Sequence, residues 1–289
     1  MTNQTDKLKA GFITLVGRSN VGKSTLMNTL VGTKIAAVTK KPQTTRDIIH
    51  GIINDPKGQA VIVDTPGVLK HKRNIMAGKM LKRVRESLQD IELIVYVVDP
   101  SKSLGEEERY TLALVRKLDL PKILVINKSD LSDKEKTYLE DYKDLIEEFD
   151  ANFELSALKD RHIKPLREKI FELLPIGEAV YPTNQTTNLD EKKWIAEIIR
   201  EKLFLTLRQE IPYSTHVEVT EVEDKPELIV IKAVVYTNNS HYKKMIIGNS
   251  GKTIKAVGIK ARKELEIALN KKIFLELEVE TDKHWEERV

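Results

Sequence analysis

The sequence predicts an α/β protein of two domains, in which a mostly parallel, doubly wound sheet is followed by a smaller α+β domain. Short β-branched runs alternate with longer amphipathic ones over residues 10–174, a pattern typical of a parallel sheet covered on both faces. The polar stretch "PIGEAVYPTNQTTNLD" then has the composition of a linker. The 289 residues are about twice a typical domain length. We therefore expect a first domain over 1–175, a linker over 176–189 and a second domain over 190–289.

Five runs in the first domain have the composition of buried strands: "GFITLVG", "QAVIVD", "IELIVYVVD", "PKILVIN" and "ANFELSA". A further run, "IIHGIIND", is separated from "QAVIVD" only by "PKG". Such a short connection can join antiparallel strands only, because a parallel pair needs a long crossover. The sheet should therefore contain one antiparallel strand.

The second domain begins with a predicted helix and ends with a predicted strand. Two strand-like runs follow the helix, "THVEVTEVE" and "ELIVIKAVVY", and a basic glycine turn then lies between two further helices before the last strand, "KKIFLELEVE". The order is helix, strand, strand, helix, helix, strand. The apolar face of the first helix is formed by Trp194, Ile195, Ile198, Ile199, Leu203, Leu205 and Leu207.

Composition excludes several classes of protein. The chain has no Cys, which excludes disulfides and thiolate metal sites and agrees with a reducing compartment. No apolar run approaches the ~18 residues that a membrane-spanning helix needs, and the first run is too short for a signal peptide. We expect a cytoplasmic, monomeric protein.

A first glycine loop, "GRSNVGKST", carries the phosphate-loop (P-loop) pattern G-x-x-x-x-G-K-[ST] between a predicted strand and a predicted helix. In this spacing the backbone N–H groups turn inward around a phosphate at the positive end of the helix. Lys23 would reach the β- and γ-phosphates, and Ser24 would ligate Mg²⁺. The loop residues that we assign to nucleotide binding are Gly17, Asn20, Val21, Gly22, Lys23, Ser24 and Thr25.

Three further patterns follow at the carboxyl ends of predicted strands, the edge at which such sheets bind ligands. In "DTPG", Asp64 can hold Mg²⁺ through water, and the amide of Gly67 can contact a γ-phosphate. In "NKSD", from Asn127 through Lys128 to Asp130, the last carboxylate can accept hydrogen bonds from guanine N1 and its 2-amino group. Adenine cannot offer that pair of donors, and a buried acceptor left without its donor is costly. In "SAL", the amides of Ser156 and Ala157 would meet guanine O6. Together these patterns predict a Mg²⁺-dependent GTPase.

Hydrolysis needs a loop over the phosphates, and "TKKPQTTRD" lies where such a loop can form, although a solvated basic turn is the alternative. We expect the Thr45 hydroxyl, with Thr44 as the alternative, to complete the Mg²⁺ coordination. Lys23, Thr45 and Gly67 are then the catalytic candidates. Val68, which follows "DTPG", cannot orient a water molecule. Asn20 could instead help to bind K⁺ between the phosphates, or it could only brace the loop.

A second glycine loop, "MIIGNSGKTIKAVG", ends like a P-loop but lacks its spacing, because the residue five positions before Gly251 is Ile246. The remaining G-x-x-G turn between two helices is the backbone clamp of KH domains, and two preceding strands indicate the type II topology. A basic helix-turn-helix packing joint is the structural alternative. The predicted contacts to single-stranded RNA are Lys243, Lys244, Ile246, Ile247, Gly248, Asn249, Ser250, Gly251, Lys252 and Lys255, with Ile246, Ile247 and Ile254 lining a groove.

These motifs together resemble the Era family of bacterial GTPases, in which a GTPase domain precedes a type II KH domain. The resemblance runs from about Gly11 to Trp285 and includes "KPQTTRD", "EIPYS" and "KKMIIGNSGKTIKAVGIKARKELE". It implies GTP hydrolysis coupled to binding of the 3′-end region of 16S rRNA, in assembly of the small ribosomal subunit. Ser19 departs from the family's usual proline, and we expect the loop to remain intact.

Two other functions remain open at this level. The protein could be a passive RNA-binding module that senses GTP or GDP without turnover, or a related GTPase of RNA modification, although its six His residues form no cofactor pattern. The stretch from His241 to Lys263 contains seven Lys or Arg residues and no Asp or Glu, and so forms a cationic patch. Peripheral association with the inner face of the membrane also stays open, because such a patch attracts any polyanion.

Overall fold

The computed structural model describes residues 8–38, 49–64, 91–208 and 210–285. These residues divide into two compact units: 8–36, 49–64 and 91–188 form the first unit, and 37–38, 189–208 and 210–285 form the second. The segment 176–188, predicted as linker, thus groups with the first unit. The domain boundaries given above stay a prediction.

The first unit is built on one six-stranded sheet with the order β2-β3-β1-β4-β5-β6. β2 pairs antiparallel with β3, and the other neighbours are parallel, which confirms the predicted fold class and the antiparallel strand of the hairpin. The strands are β1 (Lys9–Val16), β2 (Ile49–Asp55), β3 (Gly58–Asp64), β4 (Ile91–Val98), β5 (Lys122–Ile126) and β6 (Ala151–Glu154).

Helices cover this sheet, and the central strands are buried on both faces. In β4 seven of the eight residues are buried, which explains its unbroken β-branched sequence. Because β1, β3, β4, β5 and β6 run in one direction, the motifs that follow them meet at one edge of the sheet. The described helices are α1 (Lys23–Val31), α2 (Glu106–Arg116), α3 (Leu139–Lys143) and α4 (Ile163–Leu173).

The segment 176–188 packs along the edge strand β2. The Ile52 N–H donates to the Thr186 carbonyl at 2.9 Å, and Gly51 forms an antiparallel bridge with Thr187. The carboxamide of Gln59, which is 2% exposed, donates to the Tyr181 carbonyl at 2.8 Å and accepts from the Tyr181 N–H at 2.8 Å. The bonds of Ile52 and Gly51 cover backbone groups of β2 that an open sheet edge would present to other chains, and those of Gln59 tie the segment to β3.

The second unit has a three-stranded sheet with the order β7-β8-β9 and the predicted succession of helices and strands. β7 and β8 are antiparallel, whereas β8 and β9 are parallel. The elements are α5 (Glu191–Thr206), β7 (Thr215–Asp224), β8 (Leu228–Thr237), α6 (Ser240–Ile247), α7 (Lys252–Leu269) and β9 (Lys272–Thr281).

Two residues of this unit lie elsewhere than predicted. Leu205, placed on the apolar face of the first helix, is 52% exposed, and Phe204 beside it is buried instead. Ile246, placed in the RNA groove, is fully buried in the core with Ile231 and Val257. The α6 helix turns Ile246 toward the sheet, so its side chain stabilises the unit and is not available to a ligand.

Among the described residues, no helix combines the length and the apolar character needed to cross a bilayer.

Candidate nucleotide site and nucleic-acid interface

The P-loop of the first unit connects β1 to α1, and its backbone conformation requires glycine at two positions. Gly17 and Gly22 have φ values of 154° and 104°, in the region that disfavours side chains. A Cβ on Gly17 would lie 2.2 Å from the Val97 carbonyl oxygen, so the loop approaches β4 too closely for any side chain. Asn20 also has a positive φ, of 66°, a conformation that asparagine tolerates better than most residues.

The ammonium of Lys23 lies inside the loop. Its Nζ donates to the Gly17 carbonyl at 2.7 Å and to the Arg18 carbonyl at 2.9 Å. The first turn of α1 contains no acidic residue, so no carboxylate there competes for the positive end of this helix. The structure thus places the predicted Lys23 where an anion within the loop could take over its hydrogen bonds.

Asn127 joins the P-loop to the two loops predicted to hold guanine. This side chain is 3% exposed; its Nδ2 donates to the Val21 carbonyl at 2.8 Å, and its Oδ1 accepts from the Ala157 N–H at 3.0 Å. Gly22 is in contact with the same amide, since a Cβ there would lie 2.2 Å from Asn127 Nδ2. One buried carboxamide therefore fixes the spacing between the phosphate and base sites.

Asp130 and Lys128 lie close to the Asn127 side chain, as the "NKSD" motif predicts. The Ser156 hydroxyl donates to a carboxylate oxygen of Asp130, which holds that carboxylate next to the "SAL" backbone. Lys128 Nζ donates to the Asn20 carbonyl at 3.1 Å and so reaches the P-loop from the other side. The P-loop, the end of β3 and the loops after β5 and β6 therefore share one edge of the sheet.

Asp99 is a residue of this site that sequence analysis missed. It directly follows β4, is 1% exposed, and forms an ion pair with Lys128 while accepting from the Ser101 N–H at 3.0 Å. Burial works against ionisation of Asp99, but hydrogen bonds from Lys128 and Ser101 prevail and hold the pKa of its carboxyl below the usual range. An acidic residue at the end of an apolar strand is the signal that could have identified it.

Several predicted residues lie outside the described residues. They include Thr44 and Thr45 of the loop expected over the phosphates, and Gly67 of "DTPG". Asp64 is described only as the last backbone position of β3, and Ser24 lies in the first turn of α1. The Mg²⁺ set of Ser24, Thr45 and Asp64 stays a prediction.

The second glycine loop connects α6 to α7 and also has unusual backbone angles. Gly248 and Gly251 have φ values of 76° and 75°, and Ser250 between them has 49°. A Cβ on Gly248 would lie 2.1 Å from Thr253 Oγ1, whereas one on Gly251 would meet nothing within 4 Å. Asn249 and Ser250 are exposed, so a phosphate could approach this backbone from solvent.

An apolar groove of about 260 Å³ lies between α7 and β9. Of the three isoleucines predicted to line a groove, only Ile254 does so, and residues of α7 and β9 contribute the rest. The pattern of the "GIKARKE" stretch could have indicated this face, since its positions repeat at helical spacing. The lining residues are Ile254, Lys255, Gly258, Ile259, Arg262, Leu275 and Leu277.

Comparison with known proteins agrees with this division into a nucleotide site and a KH fold. Residues 12–128 match the family model described as "50S ribosome-binding GTPase", and residues 210–286 match the KH domain model. A GTPase Era from Halothermothrix orenii is 37% identical, covering 97% of this chain and 95% of the relative. The chain belongs to the Era family of GTPases.

Solved Era structures match the whole fold. A point variant of Era from Aquifex aeolicus, bound to GDP·AlF₄⁻, is 32% identical, with a TM-score of 0.86 over 97% of this chain and 96% of that one. Era in complex with MgGDPNP and nucleotides 1506–1542 of 16S ribosomal RNA matches with a TM-score of 0.87 at the same identity and coverage. The predicted family, GTPase activity and RNA-binding KH domain are confirmed.

The contact between Gly22 and Asn127 leads to a test of the Era site. The Gly22→Ala substitution should displace the Asn127 amide and weaken GDP binding at least tenfold, about 1.4 kcal/mol. The measurement is titration with a fluorescent GDP analogue. Gly32→Ala is the matched control, because Gly32 has a φ of 82° and a Cβ there meets nothing within 4 Å. Equal weakening in both variants would show that backbone strain alone matters.

Proposed function

We propose that this Era-family GTPase binds the single-stranded 3′-end region of 16S rRNA through its KH domain, uses Mg²⁺ in GTP hydrolysis, and acts in assembly of the small ribosomal subunit. The observation that carries the proposal is the match, over 97% of the chain, to an Era structure that holds both MgGDPNP and 16S rRNA nucleotides. The open G-x-x-G turn and the groove of the second unit support it independently. The monomeric state and membrane association stay predictions.

GTP binding follows from the geometry of the sheet edge. The inward amides of the P-loop and the Lys23 ammonium surround the β- and γ-phosphates, and the bonds of Lys23 to its own loop are exchanged for phosphate oxygens. Asp130 accepts from guanine. The N–H groups of Ser156 and Ala157, which the "SAL" motif predicts at guanine O6, donate here to the Arg161 carbonyl at 3.1 Å and to Asn127 Oδ1 at 3.0 Å, so a contact with O6 requires one of these bonds to be exchanged. Hydroxyl and carboxylate oxygens of Ser24, Thr45 and Asp64 are hard ligands suited to Mg²⁺, which neutralises charge on the transferred phosphoryl group.

RNA binding follows from the distribution of charge in the second unit. The exposed basic side chains of α6 and α7 include Lys244, Lys252 and Lys255 around the G-x-x-G turn. The outer face of the sheet is acidic, with exposed Glu218, Glu276 and Glu278, and would repel a phosphate backbone. RNA would therefore approach the helical side, where the backbone clamp and the apolar groove lie next to each other.

Base selection by Asp130 has a direct test. In Asp130→Asn an NH₂ group replaces one acceptor oxygen, so the site should prefer xanthine, whose 2-oxo group accepts where guanine donates. GTP affinity should fall about 100-fold or more, because one hydrogen bond is replaced by two opposed donors and the other loses its charge. Competition between GTP and XTP for a fluorescent nucleotide measures this. Asp133→Asn, at a fully exposed carboxylate, is the control and should change neither affinity. Retained GTP preference in Asp130→Asn would contradict the assignment.

The groove of the second unit has a test that separates apolar contact from charge. Ile259→Ala should weaken binding of a single-stranded 16S 3′-end oligonucleotide roughly three- to tenfold with an unchanged salt slope. Lys255→Ala should instead lower the slope by about 0.7 if it contacts one phosphate. Fluorescence anisotropy over a salt series measures both quantities. Ile267→Ala, on the same helix but 84% exposed and outside the groove, is the control. Equal losses at Ile259 and Ile267 would argue against the groove.

Potassium stays a prediction that rests on Asn20, whose backbone is held at a φ of 66° within the P-loop. A K⁺ ion between the β- and γ-phosphates would supply the charge that an arginine finger supplies in other GTPases. We expect faster GTP turnover in potassium than in sodium at equal ionic strength, measured as phosphate release. Asn20→Ala should remove the difference, and equal wild-type rates in the two salts would refute the idea.

A further inference from the structure

A buried acidic residue, Glu108 of α2, lies at the centre of a polar cluster behind the P-loop. Its side chain is completely inaccessible to solvent, as are the aromatic rings of Tyr96 on β4 and Tyr142 on α3. The Tyr96 hydroxyl donates to Glu108 Oε1 at 2.5 Å. The Tyr142 hydroxyl lies 3.4 Å from Oε2 and has the Lys102 carbonyl as its shorter acceptor, at 3.0 Å. Arg18 completes the cluster with its Nε 3.1 Å from Glu108 Oε2.

Arg18 connects this cluster to the nucleotide site, because it is the second residue of the P-loop. Its backbone carbonyl accepts the Lys23 ammonium at 2.9 Å, while its side chain runs in the other direction to Glu108. The next residue, Ser19, donates its N–H to Glu107 of the same helix at 3.4 Å. Two adjacent carboxylates of α2 thus hold two adjacent residues of the loop.

We propose that Glu108 is a positioning residue of the GTPase: through Arg18 it fixes the P-loop in the conformation that receives the nucleotide phosphates. Glu108 belongs to none of the nucleotide motifs and contacts the P-loop through the Arg18 side chain. It acts on the loop amides through this side chain. Because those amides surround phosphates that GDP and GTP share, the effect should be on the binding of both nucleotides.

The strength of this anchor follows from its burial. A carboxylate without solvent needs a cation and hydrogen-bond donors, and Arg18 is the cation that contacts it. Burial raises the pKa of Glu108, and the Tyr96 hydrogen bond and the Arg18 charge work in the opposite direction. One terminal nitrogen of Arg18 is buried with no hydrogen-bond partner among the described residues, and the other donates to the Ser103 carbonyl at 3.4 Å, so the contact with Glu108 at 3.1 Å is the shorter of the two.

The same helix offers a matched comparison. Arg116 of α2 pairs with Glu148 through two hydrogen bonds of 2.6 Å, but these side chains are 52% and 36% exposed. Exposed pairs contribute little, because solvent screens them. Glu148→Gln therefore makes the same chemical change as Glu108→Gln, at an ion pair that is away from the P-loop and in contact with water.

The ion pair with Glu108 determines what the Arg18 guanidinium can do in catalysis. With its side chain paired to Glu108, Arg18 serves the scaffold and does not act as a mobile cation on the phosphates. A loop that is already ordered loses less conformational entropy when nucleotide binds. The resulting gain in binding free energy is the same for bound GTP and for the transition state of its hydrolysis. Loss of the anchor should therefore raise KM for GTP and Kd for GDP together, with kcat little changed.

The experiment compares Glu108→Gln, Glu148→Gln and the double variant Arg18→Met/Glu108→Gln in the full-length chain, at a temperature where circular dichroism shows each to be folded. Expected for Glu108→Gln is a roughly tenfold rise in both Kd for GDP and KM for GTP, with kcat within about twofold of wild type. Glu148→Gln should have the wild-type Kd for GDP, KM for GTP and kcat.

The double variant separates positioning from simple stabilisation. It leaves no unpaired buried charge, so its melting temperature should recover even if Glu108→Gln is poorly folded. The P-loop still lacks its anchor in this variant, so nucleotide affinity should stay about tenfold weak. Recovery of affinity together with stability would overturn the proposal, as would wild-type affinity in a folded Glu108→Gln.

Discussion

The nucleotide site depends on one buried carboxamide, that of Asn127, which accepts from one loop and donates to another. Its two hydrogen bonds, to the Val21 carbonyl and from the Ala157 N–H, fix the separation between phosphate and base. The fold itself supports this geometry, because a parallel sheet brings the loops to one edge and the amide is 3% exposed. The absence of a side chain at Gly22 follows from the same constraint.

Around this amide, ion pairs bind the loops to the rigid sheet. Asp99 holds Lys128, which reaches the Asn20 carbonyl, and Glu108 holds Arg18, whose carbonyl receives Lys23. Each carboxylate is buried and each cation belongs to a loop. The end of β4 and α2 therefore supply fixed negative charge just behind a site that must attract a polyanion. Pairing each carboxylate with a loop cation cancels the repulsion that these charges would otherwise exert on phosphate.

Most of the fold and the motif residues could be predicted from sequence, because both depend on local patterns. Strand composition identified the sheet, and fixed spacing identified Lys23, Asn127 and Asp130. Fixed spacing does not identify Asp99 or Glu108, because their partners, Lys128 and Arg18, are distant along the chain. Asp99 still has a local signal, its place at the end of an apolar strand, whereas Glu108 has none. Ile246 lies in the core and not in the groove, because α6 packs this residue against the sheet while the groove is formed by α7 and β9. To assign a helical residue to the core or to the surface, one must know which face of its helix packs against the sheet. The spacing of apolar residues shows that face only in longer helices.

The two glycine loops show why similar sequences lead to different chemistry. In the P-loop a Cβ at Gly17 or Gly22 would collide with β4 or with Asn127, so the loop is enclosed by its own domain. In the second loop a Cβ at Gly248 would collide with Thr253, but one at Gly251 would meet nothing, and the intervening Asn249 and Ser250 are exposed. An enclosed loop holds one small anion in one geometry, as phosphoryl transfer requires. An open turn flanked by surface lysines can grip a polymer backbone without demanding a single phosphate position, as single-stranded RNA requires.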